Sequence, residues 1–334
     1  MKIYEDYLST IADAMKTGSS TLNFTGGLQE RKTIQKGFNY EELNRRIPRN
    51  QLQPGLKEFA KELGLVANFD QRLGLHPDFA YLKTSNTTEN HYIISMFVDV
   101  KGSTNLFRKY PPETVLVITN TIQRAAIHTC LILGGYVHRL QGDGLFIYFG
   151  GKNMPIDVAT DRALVFAAIF TYFVKTDLRK LFDEQGIEAI FTRIGIDLGY
   201  DEDVVWSLAG LGEISEVTTC SLHTSLASKM QGSAQSNGIV VGNHIVNEAR
   251  KFNDFFSTVS KRTGNENDRY IYTIPDQQFY YTQYDFLWLP FLKKQSFIVT
   301  DLSGDIHLKR NPAASVSTSG LSELASPNKP YFNS

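Results

Sequence analysis

The chain has 334 residues and a formal net charge of -1, with 21% charged and 42% hydrophobic side chains. This length suffices for one sizeable domain with an extension, or for two modest domains. The balanced charge excludes a general nucleic-acid binder, because neutralising many phosphates requires an excess of lysine and arginine. Its two cysteines, Cys130 and Cys220, are too few for a disulfide-built secreted scaffold and fit a reducing compartment.

No segment of the sequence predicts a membrane span. The most apolar run, residues 163–174, is too short to cross a bilayer and is typical of a buried helix. The N-terminus carries Glu5 and Asp6 and lacks the continuous apolar stretch of a signal peptide. We therefore expect a soluble cytoplasmic protein.

Residues 1–90 predict a helical N-terminal extension. A first amphipathic helix ends near Gly18, and a second, over residues 56–65, closes at Gly64. The apolar face of the first helix consists of Tyr4, Tyr7, Leu8, Ile11 and Met15. Composition does not distinguish a dimerisation or regulatory element from a plain packing extension.

Residues 91–275 predict the main domain, whose elements run strand, long helix, hairpin, long helix, strand. Two helices on one face of a largely antiparallel sheet give an α+β sandwich. The strands are predicted over residues 93–99, 136–140, 145–149, 187–197, 204–211, 239–241 and 270–274. The helices are predicted from Pro111-Pro112 onward and over residues 157–182, 222–230 and 244–252.

The composition changes after residue 275. Residues 276–310 are rich in aromatic side chains, which predicts a segment that packs against this domain or against a partner. Residues 311–334 are rich in Ser, Ala, Pro and Asn and contain few large apolar residues, so we expect a disordered tail.

Two aspartates follow strands and lie beside glycines. Asp99 ends the first strand of the main domain, and Asp143 lies in the turn of the hairpin. A pair of aspartates can bridge hard divalent cations, and glycine lets backbone amides approach a phosphate closely. Together they predict a two-metal phosphoryl-transfer site. Considered singly, Asp99 also fits a helix cap and Asp143 an ordinary turn residue.

The order of these motifs resembles the catalytic core of class III nucleotidyl cyclases, the adenylate and guanylate cyclase family. The resemblance covers about residues 92–274 and implies a ferredoxin-like cyclase domain. Its pieces are Phe97-x-Asp99-Val100-x-Gly102-x-Thr104, then Gly142-Asp143, the strand Arg193-Ile194-Gly195-Ile196-Asp197-Leu198-Gly199, and the helix Ser225-Leu226-Ala227-Ser228-Lys229-Met230.

The resemblance implies an intramolecular reaction in which the ribose 3′-hydroxyl of a nucleoside triphosphate attacks its α-phosphorus and pyrophosphate leaves. Asp99, Asp143 and the carbonyl of Val100 would hold two divalent cations, Mn²⁺ or Mg²⁺. The backbone amides of Lys101, Gly102, Ser103 and Thr104 would bind the phosphates at the start of a helix.

The residues that align with the base-reading positions depart from both purine codes. Arg139 stands where adenylate cyclases carry lysine and guanylate cyclases glutamate, and Thr218 stands where aspartate or cysteine is usual. Arginine offers hydrogen-bond donors only, which favours the carbonyl acceptors of uracil over cytosine, although a contact to O2 alone accepts both. The chain thus looks like the pyrimidine cyclases of bacterial Pycsar antiphage systems, with UTP favoured over CTP and a separate cyclic-nucleotide-activated effector. The alternative is that Arg139 makes a surface salt bridge.

The helix that aligns with the catalytic helix of the family is also altered. Ser225 replaces the asparagine that orients the ribose, and Lys229 replaces the arginine that stabilises the transition-state phosphate. Lysine keeps the charge but loses the planar fork. The resemblance further implies a homodimer with two shared sites, in which one protomer supplies the aspartates and the other supplies the base-reading and helix residues.

Two other readings remain open on the sequence. One is an adenylate cyclase with an atypical base pocket, and the other is a catalytically silent domain that binds a nucleotide as a sensor. Retention of Asp99 and Asp143 argues against silence if they are buried carboxylates without counter-ions. The seven histidines show no metal-ligand spacing, so we assign them no role.

Overall fold

The computed structural model describes residues 2–18, 39–302 and 304–309. The tail expected at residues 311–334 lies outside the described residues. The helices are α1 (Glu5–Gly18), α2 (Tyr40–Arg46), α3 (Pro54–Glu62), α4 (Pro112–Ile132), α5 (Ile156–Tyr172), α6 (Arg179–Glu184), α7 (Leu222–Ser233), α8 (Asn243–Glu248), α9 (Val259–Thr263) and α10 (Trp288–Lys293). The strands are β1 (Glu89–Asn90), β2 (Ile93–Lys101), β3 (Tyr136–Gln141), β4 (Gly144–Phe149), β5 (Phe191–Gly199), β6 (Val204–Leu211), β7 (Ile214–Ser221), β8 (Gly238–Gly242), β9 (Phe256–Thr258), β10 (Tyr270–Ile274), β11 (Phe279–Phe286), β12 (Ile298–Thr300) and β13 (Ile306–Leu308).

The central sheet has the strand order β10-β11-β8-β5-β2-β4-β3, and β9 pairs with β11. Its first strands and helices run β2, α4, β3, β4, α5, β5 along the chain, and these four strands lie in the order β5-β2-β4-β3 with antiparallel pairing throughout. Strand β8 then joins β5 in parallel. The predicted α+β class and ferredoxin-like order are confirmed.

Strand β11 lies inside this sheet, between β10 and β8. Tyr284 pairs with Val241 of β8, and Thr273 of β10 pairs with Tyr280. The sheet therefore continues past the boundary expected at residue 275. The aromatic-rich segment was expected to pack on this domain or on a partner, and its first part is a strand of the domain itself.

Helices α4 and α5 cover one face of the sheet, and the N-terminal extension packs outside them. The hydroxyl of Tyr4, in the short 3-10 turn just before α1, lies 2.8 Å from the Thr129 hydroxyl, and the hydroxyl of Tyr7 in α1 lies 2.6 Å from His128 Nδ1. Buried hydrogen bonds therefore join the start of the extension to α4. Among the described helices, α4 is the one long and apolar enough to cross a bilayer, but 72% of its most apolar window is buried inside the protein. It has the burial of a core helix.

The opposite face of the sheet carries α7. This helix begins directly after β7, where the Ser221 side chain accepts a hydrogen bond from the His223 amide. It lies so close to β5 that a Cβ atom on Gly195 would collide with the backbone of Ala227 and Gln231. The face that α4 and α5 leave uncovered therefore holds α7, the β6–β7 hairpin and the residues expected to act on substrate.

Candidate active site

Asp99 lies near the end of β2, directly opposite Arg193 of β5 in the strand register. Side chains of directly opposed residues lie on the same face of a sheet. The Arg193 guanidinium donates to Asp99 Oδ2 through Nη2 at 2.7 Å and through Nε at 3.2 Å. Both bonds reach the same carboxylate oxygen, so Asp99 Oδ1 is left for another ligand.

Asp143 is brought beside Asp99 by a close approach of the hairpin turn to β2. Gly144 makes this possible, since a Cβ atom there would collide with the Val98 carbonyl oxygen and lie 3.4 Å from the Asp99 Cα. The Ser103 hydroxyl donates a short hydrogen bond to Asp143 Oδ2. The turn that carries Asp143 therefore lies beside the end of β2 that carries Asp99, which brings the two predicted metal aspartates to the same end of the site.

These carboxylates differ from the sequence expectation in one respect. Asp99 and Asp143 are both half-buried, and Asp99 has Arg193 as its counter-ion. The premise that two buried carboxylates without counter-ions argue against a silent domain is therefore wrong. The case for catalysis depends on their convergence instead.

The predicted phosphate-binding loop begins at the exposed end of β2. Lys101 is still a strand residue, and Gly102 adopts φ 93°, a left-handed conformation that favours glycine. A short 3-10 helix covers residues 103–108, and the long helix α4 begins only at Pro112. The expected helix start at the loop is thus a short 3-10 turn.

The predicted base-reading residues lie where β3 meets β7. The Arg139 guanidinium donates to Glu216 Oε2 through Nε at 2.6 Å and pairs with Oε1 through Nη2. The Arg139 side chain is 45% exposed and Glu216 is 22% exposed. The salt bridge that was the alternative role for Arg139 is therefore present, and it places a carboxylate beside the guanidinium.

Thr218 contacts the neighbour of Arg139. Its hydroxyl lies 3.1 Å from His138 Nε2, and the His138 side chain is fully buried. Burial and, to a smaller extent, the positive charge of Arg139 lower the pKa of His138 to about 3. A neutral imidazole therefore links the two predicted base-reading positions.

Ser225 and Lys229 lie one turn apart on the exposed side of α7. The Ser225 hydroxyl donates to the Ser221 carbonyl at 3.3 Å, and Lys229 Nζ lies 5.7 Å from the centre of the Tyr272 ring. Within the part of the chain that the structure describes, neither side chain bonds to Asp99 or Asp143. The structure thus brings the aspartates together and leaves the helix residues on a separate, outward surface.

Two side chains at this site had no role in the sequence reasoning. Arg193 was part of a quoted motif but was not paired with Asp99, because strand register is not visible in a sequence. Glu216 precedes Thr218 by two residues, and that spacing places both on one face of a strand. The period-two pattern of β7 was the signal that could have found it.

No family model matches the chain. It is 39% identical over 198 residues to a cytidylate cyclase from Staphylococcus aureus. This alignment covers 59% of this chain and 46% of that protein. It is 33% identical over 241 residues to a cytidylate cyclase from Escherichia coli, and this alignment covers 67% of this chain and 50% of that protein. The chain is a relative of the cytidylate cyclases. The predicted resemblance to class III nucleotide cyclases, and to pyrimidine cyclases among them, is confirmed.

This cyclase relative spans about half the length of the curated proteins that it matches. Among solved structures, the adenylyl cyclase CyaB from P. aeruginosa aligns with 60% of this chain and 95% of its own, at 18% identity and a TM-score of 0.48. The guanylyl cyclase Cya2 aligns with 60% of this chain and 92% of its own, at 16% identity and a TM-score of 0.45.

Proposed function

We propose that the chain is a pyrimidine nucleotide cyclase, which converts a pyrimidine nucleoside triphosphate to the 3′,5′-cyclic nucleotide and pyrophosphate. The observation that carries the proposal is the convergence of Asp99 and Asp143 at two adjacent strand ends, beside a glycine-containing loop. The cytidylate cyclase names of the relatives support the pyrimidine class. Mass identification of the products formed from each of four nucleoside triphosphates tests it.

The donors at this point fit hard divalent cations. Asp99 Oδ1 is free of the Arg193 contacts, and Asp143 contributes a second carboxylate beside it. Carboxylate and carbonyl oxygens are the ligands that Mg²⁺ and Mn²⁺ prefer. Asp99, Asp143 and the Val100 carbonyl would hold two such cations, which would acidify the 3′-hydroxyl and neutralise charge on the triphosphate.

The chain's own residues would bind and orient the triphosphate. The left-handed Gly102 turns the backbone between β2 and the 3-10 helix, and the Ser103 side chain contacts Asp143, which supports a phosphate-binding role for the amides of residues 101–104. Backbone amides in such a turn bind anionic oxygens without a charged side chain. The Arg193 guanidinium holds Asp99 in place, because two hydrogen bonds to one oxygen restrain the carboxylate. Positioning supplies much of the rate in an intramolecular displacement.

The base contact is proposed at the Arg139–Glu216 pair, and this pair changes the argument about the base. The preference for UTP depended on Arg139 offering donors alone. Glu216 adds two acceptor oxygens beside that guanidinium, and a carboxylate can accept from the 4-amino group of cytosine. CTP is therefore the first proposed substrate. UTP is the second, favoured if the guanidinium alone contacts the base.

The dimer is a separate part of the proposal. Ser225 and Lys229 are exposed on α7 and do not bond to the aspartates of their own chain. This geometry supports sites shared between two copies, with Lys229 of one chain stabilising the phosphate held by the other. A mixture of Asp99→Ala and Lys229→Ala chains should then recover activity through one intact composite site per dimer. No recovery from a verified mixed dimer would contradict shared sites.

Two other functions stay as outcomes of the product assay. Cyclic AMP would indicate an adenylate cyclase with an atypical base pocket. Nucleotide binding without any product would indicate a sensor. The resemblance alone supports three further proposals: a role in antiphage defence, a cytoplasmic location and a separate effector that the cyclic nucleotide activates. Phage challenge of cells that carry the wild-type or the Asp143→Asn chain tests the role in defence.

A further inference from the structure

Three side chains from three separate elements converge at the far end of β5. Asp203 follows β5 in a short 3-10 turn, His223 lies in the first turn of α7, and His244 lies in the first turn of α8. One possible ligand atom from each lies within 4.8 Å of the other two. Over residues 2–18, 39–302 and 304–309, this is the one group of three His, Cys, Asp or Glu side chains that lie this close.

The orientation of His223 is fixed by a buried acidic side chain. His223 Nδ1 lies 2.8 Å from Oδ2 of Asp197, which is fully buried, and the Tyr281 hydroxyl donates to the other oxygen of Asp197 at 2.8 Å. Nδ1 is thus engaged by Asp197, and Nε2 is the nitrogen that remains for the other members of the cluster. His223 Nε2 lies 3.5 Å from Asp203 Oδ2.

The second imidazole is held in place by the backbone. His244 Nδ1 lies 2.9 Å from the Leu198 carbonyl oxygen, which can only accept, so Nδ1 donates this hydrogen bond. The rings of the two histidines lie 4.4 Å apart. His244 Nδ1 also lies 4.0 Å from Asp203 Oδ2, so two imidazoles and a carboxylate surround one point of the structure.

Two imidazoles and a carboxylate whose ligand atoms lie within 4.8 Å of one another have the composition and spacing of a metal site. We propose that Asp203, His223 and His244 bind a borderline transition-metal cation such as Zn²⁺. Two imidazoles and a carboxylate are a common zinc ligand set, and bonds of about 2.0–2.1 Å in tetrahedral geometry separate ligand atoms by roughly 3.3 Å. The 3.5 Å between His223 Nε2 and Asp203 matches this spacing. Asp197 then acts as the outer carboxylate that orients a metal-bound histidine.

This site is distinct from the proposed catalytic cations in place and in chemistry. Asp197 pairs with Ser95 in the strand register, whereas Arg193 pairs with Asp99. Four residues of a strand span about 13 Å, so the two sites lie at opposite ends of β5. The catalytic end offers oxygen donors that suit Mg²⁺ or Mn²⁺, whereas the imidazoles suit Zn²⁺. The inference does not depend on the proposed function.

The position of the site indicates a structural role. It joins the end of β5 to the first turns of α7 and α8, and His223 is nearly buried, with its side chain 5% exposed. Gly242, just before α8, leaves the space that Asp197 occupies, because a Cβ atom there would collide with the carboxylate. A cation at this point would hold the start of the helix that carries Ser225 and Lys229.

Metal titration of the full chain tests the site. The chain, purified without a histidine tag and stripped with a chelator, is titrated with ZnCl₂ and separately with CoCl₂, and bound metal is counted by mass spectrometry. We expect one saturable zinc per chain and a visible d–d absorption for cobalt with nitrogen ligands. A chain that stays free of zinc and cobalt would overturn the proposal.

Matched variants locate the metal. His244→Gln and Asp203→Asn change partly exposed side chains and should each weaken zinc binding at least ten-fold, with the far-ultraviolet circular dichroism unchanged. Tyr281→Phe releases one oxygen of Asp197 and should weaken binding less than either ligand variant. His307→Gln removes an exposed imidazole outside the cluster, and Asp99→Asn alters the catalytic end, so both should bind zinc as the wild type does. Zinc affinity that survives in both His244→Gln and Asp203→Asn would overturn the proposal.

Discussion

The two ends of β5 carry different chemistry on the same face of the sheet. At the Arg193 end, Asp99 and Asp143 are half-buried carboxylates that each accept one protein donor group. At the Asp197 end, a fully buried carboxylate orients an imidazole toward a second imidazole and a further carboxylate. The first end is open and rich in oxygen, which suits cations that arrive with a substrate. The second is anchored on buried His223 and Asp197, which suits a cation that stays.

Loss of one of the two proposed cation-binding carboxylates should have the largest effect on activity. It should also show that the two ends of β5 act independently. Asp143→Asn keeps the shape of the side chain and the contact with Ser103 but removes the charge that holds a cation. We expect cyclase activity to fall by roughly 1000-fold, because cation stabilisation of the transition state contributes several kcal/mol. Steady-state assays with manganese measure the loss. Zinc content should stay unchanged, and a joint loss of both would contradict two independent ends.

Three other buried histidines provide a contrast with the proposed metal ligands. Burial lowers the pKa of His76 and His138 to about 3 and that of His128 to about 4, so all three are neutral in the folded chain. The unfolded chain binds more protons between these values and about 6.5, so the free energy of unfolding should fall as the pH falls through that range. Between pH 7 and pH 5 we expect a loss of about 1–2 kcal/mol for each histidine.

Urea unfolding at several pH values measures this slope. His128→Leu removes one of these three histidines, so the loss of stability between pH 7 and pH 5 should be smaller by about 1–2 kcal/mol, although loss of the Tyr7 contact lowers its stability at every pH. An unchanged slope in His128→Leu would contradict a buried neutral imidazole at this position.

The proposed base contact is the Arg139–Glu216 pair, and the Glu216 carboxylate should set the preference for CTP over UTP. Glu216→Gln keeps one acceptor oxygen, loses the charge and adds an amide donor beside Arg139. We expect the ratio of CTP to UTP turnover to fall by about ten-fold, since a hydrogen bond to a charged group contributes about 1.5–3 kcal/mol. Competition assays with both nucleotides measure the ratio. Glu213→Gln changes an exposed carboxylate on the same hairpin and is the control. An unchanged ratio in Glu216→Gln would remove this carboxylate from the base site.

The smallest expected effect concerns the counter-ion of Asp99. Arg193→Met removes a positive charge in direct contact with the carboxylate but keeps a long apolar stem. Manganese should then bind several-fold more tightly, because repulsion between the guanidinium and the cation is lost at a half-exposed position. Maximal activity should fall, since Asp99 is less restrained. The manganese dependence of the rate measures both, and weaker manganese binding would show that Arg193 supports the cation instead.

The elements that the sequence predicted best are those specified by local patterns. Period-two runs gave β6 with its observed bounds, and the proline pair placed the start of α4 at Pro112. The ferredoxin-like order came from the resemblance and agrees with the sheet. The pairing of β11 with β8 was not predicted, because an aromatic-rich run does not specify which strand it will join.

The site was predictable to the same extent. Asp99 and Asp143 lie in contiguous motifs beside glycines, and the sequence predicted that they act together. The Arg193 and Glu216 partners depend on strand register, and the Asp203, His223 and His244 cluster depends on three chain segments that meet only after folding. A sequence without an alignment carries no signal for such a meeting, which is why no histidine received a role.

The most direct test of the proposed activity is the set of products that the purified chain makes. ATP, GTP, CTP and UTP are supplied separately with manganese, and the products are identified by mass, with Asp143→Asn as the matched control. We predict a cyclic pyrimidine nucleotide, cyclic CMP before cyclic UMP, that is absent in the variant. A cyclic purine nucleotide, or a pyrimidine product that persists in Asp143→Asn, would contradict the account.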